Sequence, residues 1–189
     1  GQVIINSDNT LTFTPTENVN GSATINYTIS DEKGGTSSAV VNVSILAVND
    51  SPHASNDTAQ TNEDTPVIIN ILSNDNDVES DVLIVTDIHA TTPGGLVALN
   101  TDNTLTFVPN NNFNGEVGLS YTVNDSHGST SSASVTVIVN PVNDLPILVD
   151  HQTSTDQEVA LVINALAEAY DLDGDTLTLI AATAANGNV

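Results

Sequence analysis

Apolar residues alternate with Ser, Thr and Asn along most of this chain. Leu105 and Phe107, then Val117, Leu119, Tyr121 and Val123, then Ala133, Val135, Val137 and Val139 each occupy every second position. A period of two places each set on one face of a β-strand and leaves the polar residues between them on the other. The runs are short, and clusters of Asn, Gly, Asp and Ser part them at about ten-residue spacing. The pattern predicts an all-β chain of antiparallel two-sheet sandwiches with Greek-key links, about seven strands to a complete module.

The pattern also repeats. Asp8-Asn9-Thr10-Leu11-Thr12-Phe13 recurs as Asp102-Asn103-Thr104-Leu105-Thr106-Phe107, an offset of 94 residues. Without a gap, the same register relates Asn20-Gly21 to Asn114-Gly115, Tyr27-Thr28 to Tyr121-Thr122, Asp31 to Asp125, and Val48-Asn49-Asp50-x-Pro52 to Val142-Asn143-Asp144-x-Pro146. It also places Asp77 and Asp81 on Asp171 and Asp175. Asn-Asp-x-Pro suits a linker, because Pro removes a ladder donor and pushes the residue before it to extended geometry. The chain is therefore expected to hold the C-terminal half of one module (residues 1–48), a complete module (49–142) and the N-terminal half of a third (143–189). The halves are expected to supply about four and about three strands. Gly1-Gln2-Val3 and Gly187-Asn188-Val189 both resemble Gly95-Leu96-Val97, so the chain reads as an internal piece of something longer. Val159 to Tyr170 is rich in Ala and Leu, but its counterpart Val67 to Ile71 is β-branched. It is expected to form a strand followed by one helical turn.

Charge narrows the function. One Lys or Arg against 24 acidic residues gives a formal net charge of −23, which disfavours nucleic acid and anionic membranes as partners. The absence of Cys excludes disulfides and thiolate metal sites. No run approaches the roughly 18 apolar residues that span a bilayer, and the first residues show no basic stretch followed by an apolar one.

The candidate chemistry lies in carboxylate and amide oxygens. Asp171-Leu172-Asp173-Gly174-Asp175 alternates carboxylates around a Gly that permits a tight turn, an arrangement able to converge hard oxygens on Ca2+. Its counterpart is Asn74-Asp75-Asn76-Asp77, followed by Asp81. The linker pairs Asn49-Asp50 and Asn143-Asp144 form a second cluster, and Asn62-Glu63-Asp64 with Asp31 and Asp125 a third. Against each stands the plainer reading, in which Asp and Asn close turns with their own backbone. For Asp171 to Asp175 the crowding of like charge favours a cation.

Taken in order, Asn49-Asp50-x-Pro52, Glu63-Asp64, Asp75-x-Asp77, Leu83-x-Val85, Asp125 and Asn143-Asp144-x-Pro146 resemble the motifs of cadherin repeats. The chain is similar in more detail to the cadherin-like tandem repeats of bacterial RTX-type surface adhesins. Their signatures correspond to Asn62-Glu63-Asp64-Thr65, Asn74 to Asp77, Asn112-Phe113-Asn114-Gly115 and Tyr121-Thr122-x-x-Asp125. The resemblance implies cadherin-like, immunoglobulin-like modules with calcium at each junction. Ligands at one junction would come from Asn49, Asp50, Asp75, Asp77 and Asp125. At the other they would come from Glu63, Asp64, Asn143, Asp144, Asp171 and Asp173, with Asp175 closing the same loop. Where cadherins carry Asp-Arg-Glu this chain has Pro109-Asn110-Asn111-Asn112, a departure from the full three-ion pattern.

The expected function is thus a calcium-binding, non-enzymatic repeat region of a large extracellular, secreted or cell-surface adhesin, stiffened by the ion and engaged in cell adhesion. Its partners are neighbouring repeats of the same polypeptide and cell-surface or biofilm ligands. Head-to-tail self-association through the half-modules is a further expectation. The alternative is a carbohydrate-binding or accessory module of a large secreted hydrolase. Such a module would want an aromatic platform, for which only Tyr170 and Phe113 are candidates. His53, His89, His127 and His151 have no histidine at the matching repeat position, which points to surface placement. Asp125-Ser126-His127 lacks the surroundings of a catalytic triad, and no Gly-x-Ser-x-Gly elbow occurs.

Overall fold

The computed structural model describes residues 1–185, so the closing Gly187-Asn188-Val189 of the third repeat lies outside the described residues. Among the described residues every regular element is a strand. The first repeat supplies β1 (Gln2–Ile5), β2 (Leu11–Thr14), β3 (Gly21–Ser30) and β4 (Thr36–Ile45), the four strands expected of it. The middle repeat supplies β5 (Asp57–Asn62), β6 (Val67–Ile69), β7 (Ile84–Ala90), β8 (Gly95–Leu99), β9 (Leu105–Pro109), β10 (Gly115–Asn124) and β11 (Thr130–Asn140). These seven form a four-stranded sheet, β5-β11-β10-β7, and a three-stranded sheet, β6-β9-β8. Consecutive strands β5 and β6 thus belong to different sheets, as Greek-key connections require.

One pairing departs from the expected antiparallel pattern, since β5 runs parallel to β11, from Asp57 opposite Val135 to Asn62 opposite Asn140. A tight turn would impose antiparallel pairing, but these two strands are the first and last of the repeat. Both head toward the linker that follows, and the Glu63 N–H closes the shared end on the Asn140 carbonyl at 2.9 Å.

By internal contacts the chain divides into two compact units. The first comprises Gly1–Ser55, Leu72–Ile88 and Tyr121–Ala133. It holds the β1–β2 hairpin, registered from Gln2 opposite Thr14, and the β3–β4 hairpin, registered from Gly21 opposite Ile45. Its buried residues are Ile25, Pro52, Val85, Tyr121, Val123 and Asp125. The second comprises Asn56–Ile71, His89–Ser120 and the chain from Ser134 onward. There Ile69, Ile71, Leu105, Phe107, Val117, Leu119, Val135, Val137 and Val139 are buried. Apart from Ile69 and Ile71 these are alternating positions of the sequence pattern, and the residues between them are more exposed. Gly95 is required at the start of β8, where an added Cβ would collide with the Phe107 ring and the Val108 carbonyl.

The repeat persists in backbone detail. Left-handed residues recur at the same offset: Asn9 and Asn103, Asn18 and Asn112, Glu32 and Ser126, Asp64 and Glu158, Ser80 and Gly174. So do hydrogen bonds: Asp8 and Asp102 each accept the N–H and hydroxyl of the Thr two residues on.

Residues 143–185 depart from expectation. The three strands expected there are absent, and a lone bridge joins Ile147 to Tyr170, the counterpart of the bridge between His53 and Asn76. Val159 to Tyr170 forms neither a strand nor a helical turn but successive reverse turns, with Ala167 N–H on Asn164 O and Ala169 N–H on Leu166 O. The physical reason is pairing. β6 gains its ladder from β9, whereas among the described residues no strand pairs with residues 161–163. A strand with no partner has no cross-strand hydrogen bonds to hold it extended.

Candidate functional site

In the first unit the site is built on the linker Asn49-Asp50. The Asn49 amide lies 2.7 Å from Asp125 Oδ2, 2.9 Å from the Asp50 carbonyl and 3.1 Å from Ser129 Oγ. Asp125 directly follows β10 and is fully buried. Its Oδ1 accepts the N–H groups of His127, Gly128 and Ser129 at 2.8, 2.9 and 3.0 Å. The Asn49 amide first, and then these three N–H groups, favour the ionised carboxylate and outweigh the opposing cost of burial, which lowers its pKa to about 2.

The loop Asp77–Asp81 faces the same linker. Asp77 Oδ1 accepts the N–H groups of Glu79 at 2.9 Å and Asp81 at 3.3 Å, while its Oδ2 is buried with no hydrogen-bond partner. Glu79 Oε2 accepts the Asp50 N–H at 3.1 Å. Asp81 Oδ2 is 2.8 Å from His127 Nδ1. His127 is surface-exposed as expected, yet its ring has a carboxylate neighbour that the sequence reading did not assign. A cavity of about 190 Å3 opens here, lined by Asn18, Asn20, Leu46, Val48, Asp50 and Glu79 among others.

In the second unit Glu63 is buried and binds the linker directly, its Oε1 accepting the Val142 N–H. Asp64, in the left-handed region, accepts the Asn112 N–H at 3.1 Å. The Asn143 amide donates to the Asp144 carbonyl at 2.7 Å, and the Asp144 N–H to Asp173 Oδ2 at 2.6 Å. Asp171 Oδ1 accepts the N–H groups of Asp173 at 3.0 Å and Asp175 at 3.3 Å. The Asp144 carboxyl is held above its ordinary pKa, first by loss of solvent and then by the charges of Asp173, Glu63, Asp64 and Asp171. Four neighbouring carboxylates thus act on Asp144 at this linker.

The two loops are one structure made twice: Asp77, Glu79 and Asp81 do what Asp171, Asp173 and Asp175 do. Glu79 escaped the sequence reading, although the offset of 94 residues pairs it with Asp173. Asp75 is placed differently from the other expected ligands. It accepts the Ser55 N–H at 2.8 Å, and its oxygens lie 3.0 and 3.1 Å from the Tyr121 hydroxyl. The plain reading of the Asp runs holds in part, since one oxygen of Asp77 and of Asp171 closes a turn. Among the described residues, no three acidic or imidazole side chains form a ready-made metal cage. Asp125-Ser126-His127 makes no relay: the His127 ring faces Asp81, and the Ser126 hydroxyl donates to the Val82 carbonyl. No helix among the described residues is long and apolar enough to cross a membrane.

A family model described as a cadherin-like domain matches residues 1–46 and 48–140. No curated protein matches. Among solved structures, the chain is similar to the endo-fucoidan hydrolase MfFcnA4 from glycoside hydrolase family 107, at 19% identity and a TM-score of 0.35 over 75% of this chain and 22% of that one. It is also similar to the endo-fucoidan hydrolase MfFcnA9 of that family, at 17% identity and a TM-score of 0.32 over 73% of this chain and 25% of that one. The chain therefore spans about a quarter of the length of these structures.

Proposed function

The chain belongs to the cadherin-like domain family, and from that membership we propose that it is a calcium-binding, non-enzymatic repeat region of a large extracellular adhesin. The observation that carries the reading is the gathering of Asp173, Glu63, Asp64 and Asp171 around Asp144, whose pKa is raised first by loss of solvent and then by these like charges. A hard divalent cation reverses that cost, and carboxylate, amide and carbonyl oxygens are the donors Ca2+ takes. At the second linker the donors are Glu63, Asp64, Asn143, Asp144, Asp171, Asp173 and Asp175. At the first they are Asn49, Asp50, Asp77, Asp81 and Asp125, together with Glu79, which accepts the Asp50 N–H. Asp75, engaged by Tyr121, takes a supporting place.

The chain's own residues do the positioning. Asp171 and Asp77 each spend one oxygen on their loop and keep the other. Glu63 ties the end of β5 to the outgoing linker. Asp125, kept ionised by its N–H donors, orients Asn49. Binding across a linker removes hinge freedom, so the repeats act as a stiff stalk that presents adhesive regions. Extracellular modules of this kind bind calcium at about 10⁻⁴ to 10⁻³ M, a range met outside cells and not in cytosol. Asp171→Asn with Asp173→Asn abolishes the calcium-induced rise in melting temperature at the second linker; an unchanged rise contradicts this reading.

A further inference from the structure

On the reading that the first linker binds calcium, we infer that His127 sets the affinity of that site by occupying Asp81 until the ion displaces it. Both residues belong to the complete repeat. Asp81 Oδ2 is buried, accepts no hydrogen bond from any other described residue, and lies 2.8 Å from His127 Nδ1. Two lone pairs at that distance repel, so Nδ1 carries a hydrogen and donates it to the carboxylate. Asp77 Oδ2, at the other end of the same loop, is buried without such a donor. A cation arriving at this loop therefore meets one carboxylate oxygen free of hydrogen bonds and one already engaged.

The turn between β10 and β11 holds the ring in place. The His127 N–H donates to Asp125 Oδ1 at 2.8 Å, and Ser126 before it takes a left-handed φ of 68°. The first repeat builds the same turn: the Lys33 N–H donates to Asp31 Oδ1 at 2.9 Å, and Glu32 has a φ of 60°. Lys33 is the only Lys or Arg in a chain with 24 acidic residues, and it stands at the position of His127 one repeat earlier. Both repeats thus place a proton-donating side chain at this one position.

The contact is exchangeable. The His127 side chain is 60% exposed and that of Asp81 21%, so the ring can swing into water while its backbone stays on Asp125. One hydrogen bond to a partly exposed carboxylate is weak beside several oxygen donors converging on a divalent ion. In the ion-free chain the ring satisfies an oxygen that would otherwise be buried without a partner, which favours the fold. Calcium binding forfeits that contact, so its contribution is subtracted from the affinity.

Isothermal titration with calcium chloride tests this in the full chain carrying Asp171→Asn and Asp173→Asn, where the first linker is the intact site, with and without His127→Ala or His127→Lys. His127→Ala is expected to bind calcium about threefold more tightly, and to melt at a lower temperature in chelator. His127→Lys, which restores a donor of the kind found at Lys33, is expected to return the affinity to the parent value or below it. A packing role alone would lower the melting temperature of His127→Ala and leave its affinity unchanged or weaker, a result that overturns the inference while the calcium reading stands. No calcium heat from the parent double variant overturns the calcium reading at this linker, and the role of His127 with it.

Discussion

Asp31 and Asp125 occupy the same turn of successive repeats and differ in what surrounds them. Asp31 is exposed and accepts the N–H groups of Lys33 and Gly35; Asp125 is fully buried and also holds Asn49. Asp125→Ala is therefore expected to lower the thermal midpoint clearly, and Asp31→Ala hardly at all. The pH dependence follows from the depressed pKa of Asp125. The stabilisation is complete above the ordinary carboxylate range and is lost as pH falls from about 4 through about 2. Asp144 has the opposite sign: its raised pKa favours folding at low pH and opposes it once the carboxyl ionises. Asp144→Asn should thus raise the melting temperature in chelator at neutral pH and reduce the gain that calcium brings, both read by calorimetry. The linker pairs, Glu63 and the Asp171 loop were legible in the sequence because crowded carboxylates and turn residues declare themselves. Glu79 was not, because a motif of alternating Asp and Asn pointed to Asp75 instead. The repeat register sets Asp75 opposite Ala169 and frees it to bind the Tyr121 hydroxyl.

At the scale of elements, strand pattern and strand fate came apart only where pairing is long-range. Alternation located β9, β10 and β11, since their inward sets are sealed at every position but Ala133. It could not distinguish residues 161–163 from β6, because both carry the same apolar pattern and only one has a ladder partner. The parallel pairing of β5 with β11 was equally hidden, as no turn between them dictates direction. Matched substitutions measure the difference: Leu105→Ala should cost about 2–4 kcal/mol and Leu11→Ala less than about 1 kcal/mol in chemical denaturation. The loops offer another matched pair. Ser80 adopts a left-handed φ of 64° where Gly174 takes 80°. Ser80→Gly should be stabilising by about 0.5 kcal/mol and Gly174→Ala destabilising by about 1 kcal/mol, because only glycine enters that region without a Cβ penalty.

For the molecule as a whole, charge is the governing fact. A net charge of −23 on 189 residues works against compactness, and it is densest where linkers and Asp loops meet. In the proposed reading calcium relieves the repulsion locally and ties each loop to its linker, and on that reading its removal should increase the radius of gyration in solution scattering. The most direct measurement is isothermal titration of the chelator-stripped chain with calcium chloride, beside the Asp171→Asn, Asp173→Asn double variant. A saturable heat with affinity near 10⁻⁴ to 10⁻³ M, reduced in the variant, is the result expected of extracellular calcium modules. A titration without heat at millimolar calcium would contradict the account.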